Sequence, residues 1–198
     1  VDRRQRQMCI RDRYIVALER LYQPNLPGRL TNGSFAASTT RRAMAEAVFQ
    51  RVADLLRQQG IAFEVLRHTP VYTSEEAARV RGTPLASGAK ALVCKADEQF
   101  VMFVLPADRK LDSGQARRAK GWRKLRFASR TEVERLTGLQ PGSIPPFGSL
   151  FGLPTMCDRR LGENERINFN AGDHAISVNM RYADYLRVEK PELGAFAQ

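Results

Sequence analysis

The sequence contains few of the residues from which metal centres and protein nucleophiles are built. Its 198 residues include two histidines and three cysteines, with no C-x-x-C pair and no two histidines four residues apart. A closed zinc site is therefore hard to assemble. No G-x-S-x-G or Walker loop occurs, and Cys94 lies in an apolar run, where a cysteine is usually a small buried hydrophobe. We expect neither a metal nor a cofactor.

Long apolar runs are also missing. None approaches the length of about eighteen residues that marks a membrane span, and the N-terminus has no signal-peptide core. An odd number of scattered cysteines favours a reducing compartment over a disulfide framework. These features predict a cytoplasmic protein with no membrane partner.

Positive charge, in contrast, is abundant. The chain has 32 lysines and arginines against 21 acidic residues, for a formal net charge of +11. Such an excess favours a polyanionic partner, because neutralising phosphates releases counterions, although it also suits general solubility. It is densest in residues 109–126, with eight basic residues and one acid, Asp112. That segment is either a solvated helix face or a surface that faces RNA.

The chain is long enough for one well-packed domain preceded by a leader. Residues 1–13 carry five arginines and two aspartates without apolar periodicity and look like translated sequencing-adapter sequence. Residues 14–40 are interrupted by proline and glycine, so we expect residues 1–40 to be a disordered, partly non-native leader. The domain is predicted over residues 41–190. Residues 191–198 form a tail, and the last ten residues are expected to fray.

Hydrophobic periodicity and capping residues predict the elements of the domain. A helix should start near Thr40 and stop at Gly60, and capping boxes at residues 73–76 and 129–132 should open helices that Gly82 and Gly138 close. The remaining predictions are a strand over 61–67, a hairpin formed by 91–94 and 100–105, a helix over 113–119, strands over 124–128, 155–158, 166–170 and 175–180, and a closing element over 182–188.

Residues 142–148 form a loop rich in proline and glycine, GSIPPFG. Two successive prolines fix φ, while the flanking glycines permit unusual backbone angles. The loop can therefore hold its N–H groups rigidly toward one point and build a pocket wall. A plain structural turn is the alternative interpretation.

Several short motifs occur in a characteristic order. They are His68-Thr69-Pro70, residues 88–92 (GAKAL), residues 110–112 (KLD), Thr137-Gly138 followed by the 142–148 loop, residues 158–161 (DRRL) and residues 169–172 (FNAG). In this order they resemble the YbaK/prolyl-tRNA synthetase-associated domain family over residues 44–189. The resemblance implies an α+β fold with a mixed, partly barrel-like central sheet and helices around it. It also implies a trans-acting aminoacyl-tRNA deacylase that hydrolyses mischarged tRNA by substrate-assisted attack of water.

The resemblance also assigns site residues. Lys90 matches the family's motif lysine beside the terminal adenosine and the scissile ester, and the N–H of Gly148 would lie near the ester carbonyl. Pro145, Pro146 and Phe147 would shape the pocket for the amino acid. Asn170 and Gly172 match the family's strand-end turn, which would line the opposite wall, and Ser177 and His174 are further candidates for substrate binding nearby.

Three of these assignments keep alternatives. Lys90 could also be an ordinary surface lysine at the start of a strand. Ser177 stands where some relatives carry a different polar residue, which leaves the amino acid open. His174 could bind substrate or orient water, but a lone histidine beside an aspartate in a turn is more often structural.

The expected partners are aminoacyl-tRNA, of the prolyl type and carrying a small amino acid, and a synthetase that could present it. Candidates for contact with the acceptor stem through phosphates are the basic residues Arg117, Arg118, Lys120, Arg123 and Lys124. A second function stays open, a non-catalytic tRNA- or RNA-binding module of the same fold.

Overall fold

The computed structural model describes residues 32–198, with side chains described from residue 42 onward. The expectations for residues 1–31 lie outside this range. The helices are α1 (Asn32–Gln58), α2 (Ser74–Arg81), α3 (Ser113–Lys120), α4 (Arg130–Thr137) and α5 (Tyr182–Glu189). The strands are β1 (Phe63–Arg67), β2 (Ala89–Ala96), β3 (Gln99–Pro106), β4 (Leu125–Phe127), β5 (Thr155–Asp158), β6 (Arg166–Asn170), β7 (Ile176–Arg181) and β8 (Glu192–Gly194).

Helix α1 packs an apolar stripe against the sheets. Val48, Val52 and Leu56 recur every four residues and are at most 6% exposed, as the periodicity predicted. Gly60 follows in the left-handed conformation. The helix nevertheless begins at Asn32, not near Thr40. Residues 34–40 are small and polar, but they contain no proline and therefore do not prevent the helix from extending.

The strands form two sheets. One is antiparallel with the order β1-β7-β6, and the other is mixed with the order β4-β2-β3-β5-β8. A parallel bridge between Gly88 and Asn168 joins them where β2 begins. The α+β fold with mixed strand directions is thus as predicted, and its central sheet is divided in two around a common core that α1 covers.

Local sequence signals set several element boundaries. Thr73 and Glu76 form the predicted capping box of α2, and Ser129 and Glu132 form that of α4. Both helices end at a glycine in the left-handed conformation, where a side chain would be strained. These short helices therefore begin and end where their own residues satisfy the terminal backbone groups.

The C-terminal end is packed, which corrects the expectation of fraying. Strand β8 pairs with β5, and Phe196 is 2% exposed, with its ring 5.4 Å from that of Phe103. The buried carboxylate of Asp158 accepts hydrogen bonds from the N–H groups of Phe196 and Ala197 at 2.6 and 2.7 Å. A buried carboxylate with two charge-assisted hydrogen bonds holds the chain end in place.

In the part of the chain that the structure describes, none of the helices combines the length and the apolarity that crossing a bilayer requires.

Candidate active site

A cavity of about 230 Å³ opens where the two sheets meet. Both residues of the joining bridge, Gly88 and Asn168, line it. The rest of its wall comes from helix α2, the first residues of β2, the end of β6, and Gly142 and Ile144 of the predicted loop. The junction of the sheets therefore brings together residues from 71–92, 142–144 and 168–170, three stretches that are distant in the sequence, together with Ala107.

Lys90 lies in this cavity at the start of β2. Its ammonium donates to the backbone carbonyl of Ala107 at 3.1 Å and to that of Arg109. Burial lowers the pKa of Lys90, while the charges of Asp108 and Glu75 oppose that shift. Two carbonyls hold two of the three ammonium protons, so the amine is fixed in position and one proton remains for another acceptor.

Arg81, the last residue of α2, supplies a second cation to the cavity. Its Nε donates to Ser177 Oγ at 2.8 Å, and its Nη2 donates to Asn170 Oδ1 at 2.5 Å. Burial lowers the pKa of Arg81 to about 10. The guanidinium therefore stays charged at neutral pH and is fixed against the wall formed by β6 and β7.

His68 extends this network behind Arg81. Its Nδ1 lies 2.7 Å from the carbonyl oxygen of Thr69, and its Nε2 lies 2.7 Å from Ser177 Oγ. A carbonyl can only accept, so the neutral ring carries its proton on Nδ1 and accepts the Ser177 hydroxyl at Nε2. Burial and the nearby charge of Arg81 lower the pKa of His68, against opposing contributions from Thr69 and Asp173.

The predicted loop is tied to the end of β6. Asn170 Nδ2 donates to the carbonyl of Gly142 at 2.7 Å, and the N–H of Gly172 donates to that of Ser143 at 2.8 Å. Gly172 has φ +92°, and a Cβ there would lie 2.5 Å from the carbonyl oxygen of Ala45. A glycine is therefore required at this position for helix α1 to approach the turn.

The second half of the loop lies below the cavity. Pro145, Pro146, Phe147 and Gly148 are buried and are not among the cavity's lining residues. The Phe147 ring packs against those of Phe169 and Tyr185 at 5.6 and 5.5 Å, inside the core. These four residues support the cavity from behind, and their contact with substrate stays a prediction.

Gly148 begins a 3-10 helix that the buried carboxylate of Glu189 caps. Glu189 accepts from the N–H of Ser149 at 3.1 Å, from the hydroxyl of Ser149 and from that of Thr155. Burial raises the pKa of Glu189, and these donors, together with the backbone N–H of Gly148, oppose the shift. The N–H of Gly148 thus faces the carboxylate of Glu189. Its predicted contact with the ester carbonyl stays a prediction.

His174 stands behind the rim of the cavity. Its Nδ1 lies 3.1 Å from the carbonyl of Val71, and its ring is 4.7 Å from that of Tyr72. Tyr72 lines the cavity and is 72% exposed, so it presents an open aromatic face supported by the imidazole. In this arrangement His174 therefore affects the cavity by supporting the ring of Tyr72.

The predicted tRNA-contacting residues lie at the other end of the β2–β3 hairpin. Asp97, in its turn, accepts from the N–H groups of Arg123 and Lys124. Lys90 and Asp97 are seven positions apart along strand β2 and the turn that follows it, about 23 Å at 3.3 Å per residue. Arg117 and Arg118 are exposed, and Lys120 pairs with Glu192. Arg123 and Lys124 therefore lie on an outer face away from Lys90, although the basic segment begins beside the cavity, where the carbonyl of Arg109 holds Lys90.

Two residues of the cavity could not be found from the sequence. Arg81 sits before a C-capping glycine, where a basic residue is ordinary because it complements the helix dipole. Tyr72 precedes a capping box and shows no pattern of its own. His68 belonged to a recognised motif, but only the fold brings it to Ser177, which is 109 residues away.

Comparisons with known proteins identify the family and the fold. Residues 68–188 match the family of the aminoacyl-tRNA editing domain. The multifunctional Ser/Thr-tRNA deacylase ProXp-y of Escherichia coli (strain K12) is 40% identical over 162 residues, which are 79% of this chain and 97% of that protein. The proline–tRNA ligase of Trichlorobacter lovleyi is 33% identical over 108 residues, covering 50% of this chain and 19% of the ligase.

A solved structure of a candidate trans-editing enzyme for prolyl-tRNA synthetase superimposes with a TM-score of 0.69 at 25% identity. The match covers 76% of this chain and 97% of that one. Fold, motif order and family match lead to the same conclusion: this chain belongs to the aminoacyl-tRNA editing domain family.

Proposed function

We propose that this protein is a trans-acting aminoacyl-tRNA deacylase that hydrolyses the ester of mischarged tRNA. Family membership supports this activity, as does the relative that is named a Ser/Thr-tRNA deacylase. That relative also favours serine and threonine as the amino acids removed. The protein would act in the cytoplasm, on free aminoacyl-tRNA or on tRNA that a synthetase presents.

The observation that carries the proposal is the charge of the cavity. Of the described residues that line it, Arg81 and Lys90 are the charged ones, and none carries a carboxylate or an imidazole. Among the described residues no side chain of the lining is therefore suited to be a general base near neutral pH. An aminoacyl ester is already activated, and the neighbouring ribose hydroxyl can orient the attacking water, so positioning and charge stabilisation suffice.

Lys90 has the central role in this mechanism. Its remaining ammonium proton would stabilise the negative charge that develops on the carbonyl oxygen as water attacks. Because the carbonyls of Ala107 and Arg109 hold the ammonium in advance, little reorganisation is needed at the moment of reaction.

Selection against large amino acids follows from the size of the cavity. A space of about 230 Å³ that also receives part of the terminal nucleotide has room for a small side chain only. The protein would then remove small mischarged residues and leave larger cognate ones attached, as editing sites do.

The rest of the tRNA would bind outside the cavity. Tyr72 offers an exposed ring at the rim, on which the terminal adenine can stack. The basic face formed by Arg117, Arg118, Lys120, Arg123 and Lys124 would contact phosphates of the acceptor stem.

The test is a deacylation panel with the full 198-residue chain and its Lys90→Ala variant. The substrates are seryl-, threonyl-, alanyl- and cysteinyl-tRNA, including mischarged tRNA of the prolyl type. We expect hydrolysis of seryl- or threonyl-tRNA that the substitution slows by roughly 100- to 1,000-fold. Salt-dependent binding of tRNA without hydrolysis of any substrate would instead establish the non-catalytic binding module.

A further inference from the structure

Arg81 carries a charge that the described protein does not neutralise. It is half-buried in the cavity wall, and within residues 42–198 no carboxylate oxygen lies within the 4.0 Å of an ion pair with it. A partly buried charge without a partner is costly. Its presence in a cavity therefore indicates that a ligand supplies the missing acceptor.

The protein fixes the direction of the guanidinium. Two of its five N–H groups are used, one on Ser177 and one on Asn170. Ser177 is held in turn by His68, and Asn170 by the carbonyl of Gly142. The three remaining N–H groups, including both on Nη1, have no hydrogen-bond partner among the described residues. Because the fork is planar and rigid, these free donors have a defined direction.

The surroundings of Arg81 favour a neutral oxygen as its ligand. Phosphate sites are commonly built from several cations or from clustered backbone N–H groups. The neighbours of Arg81 are instead a hydroxyl, an amide and a neutral imidazole, from Ser177, Asn170 and His68. Lys90 approaches from β2 and is held by the segment after β3, so the two cations belong to different walls and would serve different oxygens.

We propose that Arg81 is the specificity-determining residue of the site and donates a hydrogen bond to the side-chain hydroxyl of a seryl or threonyl ester. This inference rests on the proposed deacylase function and adds the residue that selects the substrate. An alanyl ester lacks the hydroxyl and leaves the free donors of Arg81 unpaired. A site built around a hydroxyl discriminates strongly against the analogue without it, because its own polar group then loses its partner.

The experiment measures kcat/KM of the full chain for two matched substrate pairs. Seryl- and alanyl-tRNA differ by the hydroxyl, and threonyl- and 2-aminobutyryl-tRNA differ in the same way. The variants are Arg81→Gln, Arg81→Lys and the control Arg79→Gln, which removes the same charge from an exposed position of the same helix. Circular dichroism and thermal unfolding establish that each variant is folded.

We expect the wild type to prefer the hydroxylated member of each pair and Arg81→Gln to reduce that preference roughly 10- to 100-fold, the loss of one hydrogen bond from a charged donor. Arg81→Lys should restore part of the preference, and Arg79→Gln should leave it unchanged. An equal fall in kcat/KM for both substrates of a pair would overturn the proposal, since Arg81 would then bind a group that both share, such as the terminal phosphate. An unchanged preference would also overturn it.

Failure of this inference is distinguishable from failure of the proposed function. If the wild-type protein hydrolyses alanyl- and seryl-tRNA equally well, the proposed role of Arg81 is wrong, but the protein is still a deacylase. The deacylase itself is contradicted if the wild-type protein hydrolyses none of these four esters and no cysteinyl-tRNA.

Discussion

The protein has two groups of cations that differ in surroundings and therefore in use. In the cavity, Arg81 and Lys90 are half-buried, bind neutral oxygens and have lowered pKa values because of burial. On the outer face, Arg117, Arg118 and Arg123 are exposed. Charges in a low dielectric act strongly over a few ångströms, whereas exposed charges are screened by salt. The first group is thus suited to chemistry and selectivity, and the second to attraction of a polyanion.

The largest effect is expected from the cavity group. Lys90→Ala should lower kcat/KM for seryl-tRNA by roughly 100- to 1,000-fold, the usual effect of removing an oxyanion donor. The measurement is single-turnover deacylation at saturating and subsaturating enzyme, which separates the chemical step from binding.

A matched control for this substitution lies on the same strand. Lys95→Ala removes an equal charge from β2, where Lys95 pairs with Glu98 at the opposite end of the hairpin. We expect little change in kcat/KM. Similar losses in both variants would mean that net charge, and not the position of Lys90, determines activity.

The sequence predicted the elements better than the site. Capping boxes and glycine stops are local signals, so α2 and α4 were predicted with their ends. Arg81 is different, because its role depends on Ser177 and Asn170, which are 96 and 89 residues away. The packed C-terminal segment was missed for the same reason, since a buried carboxylate 38 residues earlier in the chain holds Phe196.

The outer group should act through phosphates. Replacing Arg117, Arg118 and Arg123 together by glutamine should reduce the slope of log Kd against log salt by roughly 2 to 3. A fourfold increase in salt would then weaken tRNA binding about 16- to 64-fold more in the wild type than in the variant. Filter binding at a series of salt concentrations measures this, with seryl- and uncharged tRNA.

The triple variant also tests whether the outer cations act independently of the cavity cations. The triple substitution should weaken the binding of seryl-tRNA and of alanyl-tRNA equally, because phosphates carry no information about the amino acid. An altered seryl-to-alanyl ratio would show that the outer face reaches the cavity and that the two groups are not independent.

Tyr72 lies at the rim of the cavity, where its ring is exposed. Tyr72→Ala should raise KM for seryl-tRNA about tenfold, as expected for the loss of one stacked base, whereas Tyr72→Phe keeps the ring and should behave like the wild type. The ring of His174 supports Tyr72 at 4.7 Å, so thermal unfolding of each variant has to be compared in parallel. Equal KM values in the alanine and phenylalanine variants would place the terminal base elsewhere.

The smallest expected effect is the influence of the Arg81 charge on the pKa of His68. Burial lowers the pKa of His68 below 6.5, and the charge of Arg81 lowers it further. NMR titration of the two histidines should show this, and Arg81→Gln should raise the His68 pKa while Arg79→Gln should not. Because the folded protein favours neutral His68, this residue's contribution to stability is complete above the unfolded pKa near 6.5 and is lost as the pH falls through the lower folded pKa. An Arg81→Gln variant with an unchanged His68 pKa would mean that solvent screens Arg81 as fully as the outer arginines, and the contrast between the two groups would not hold.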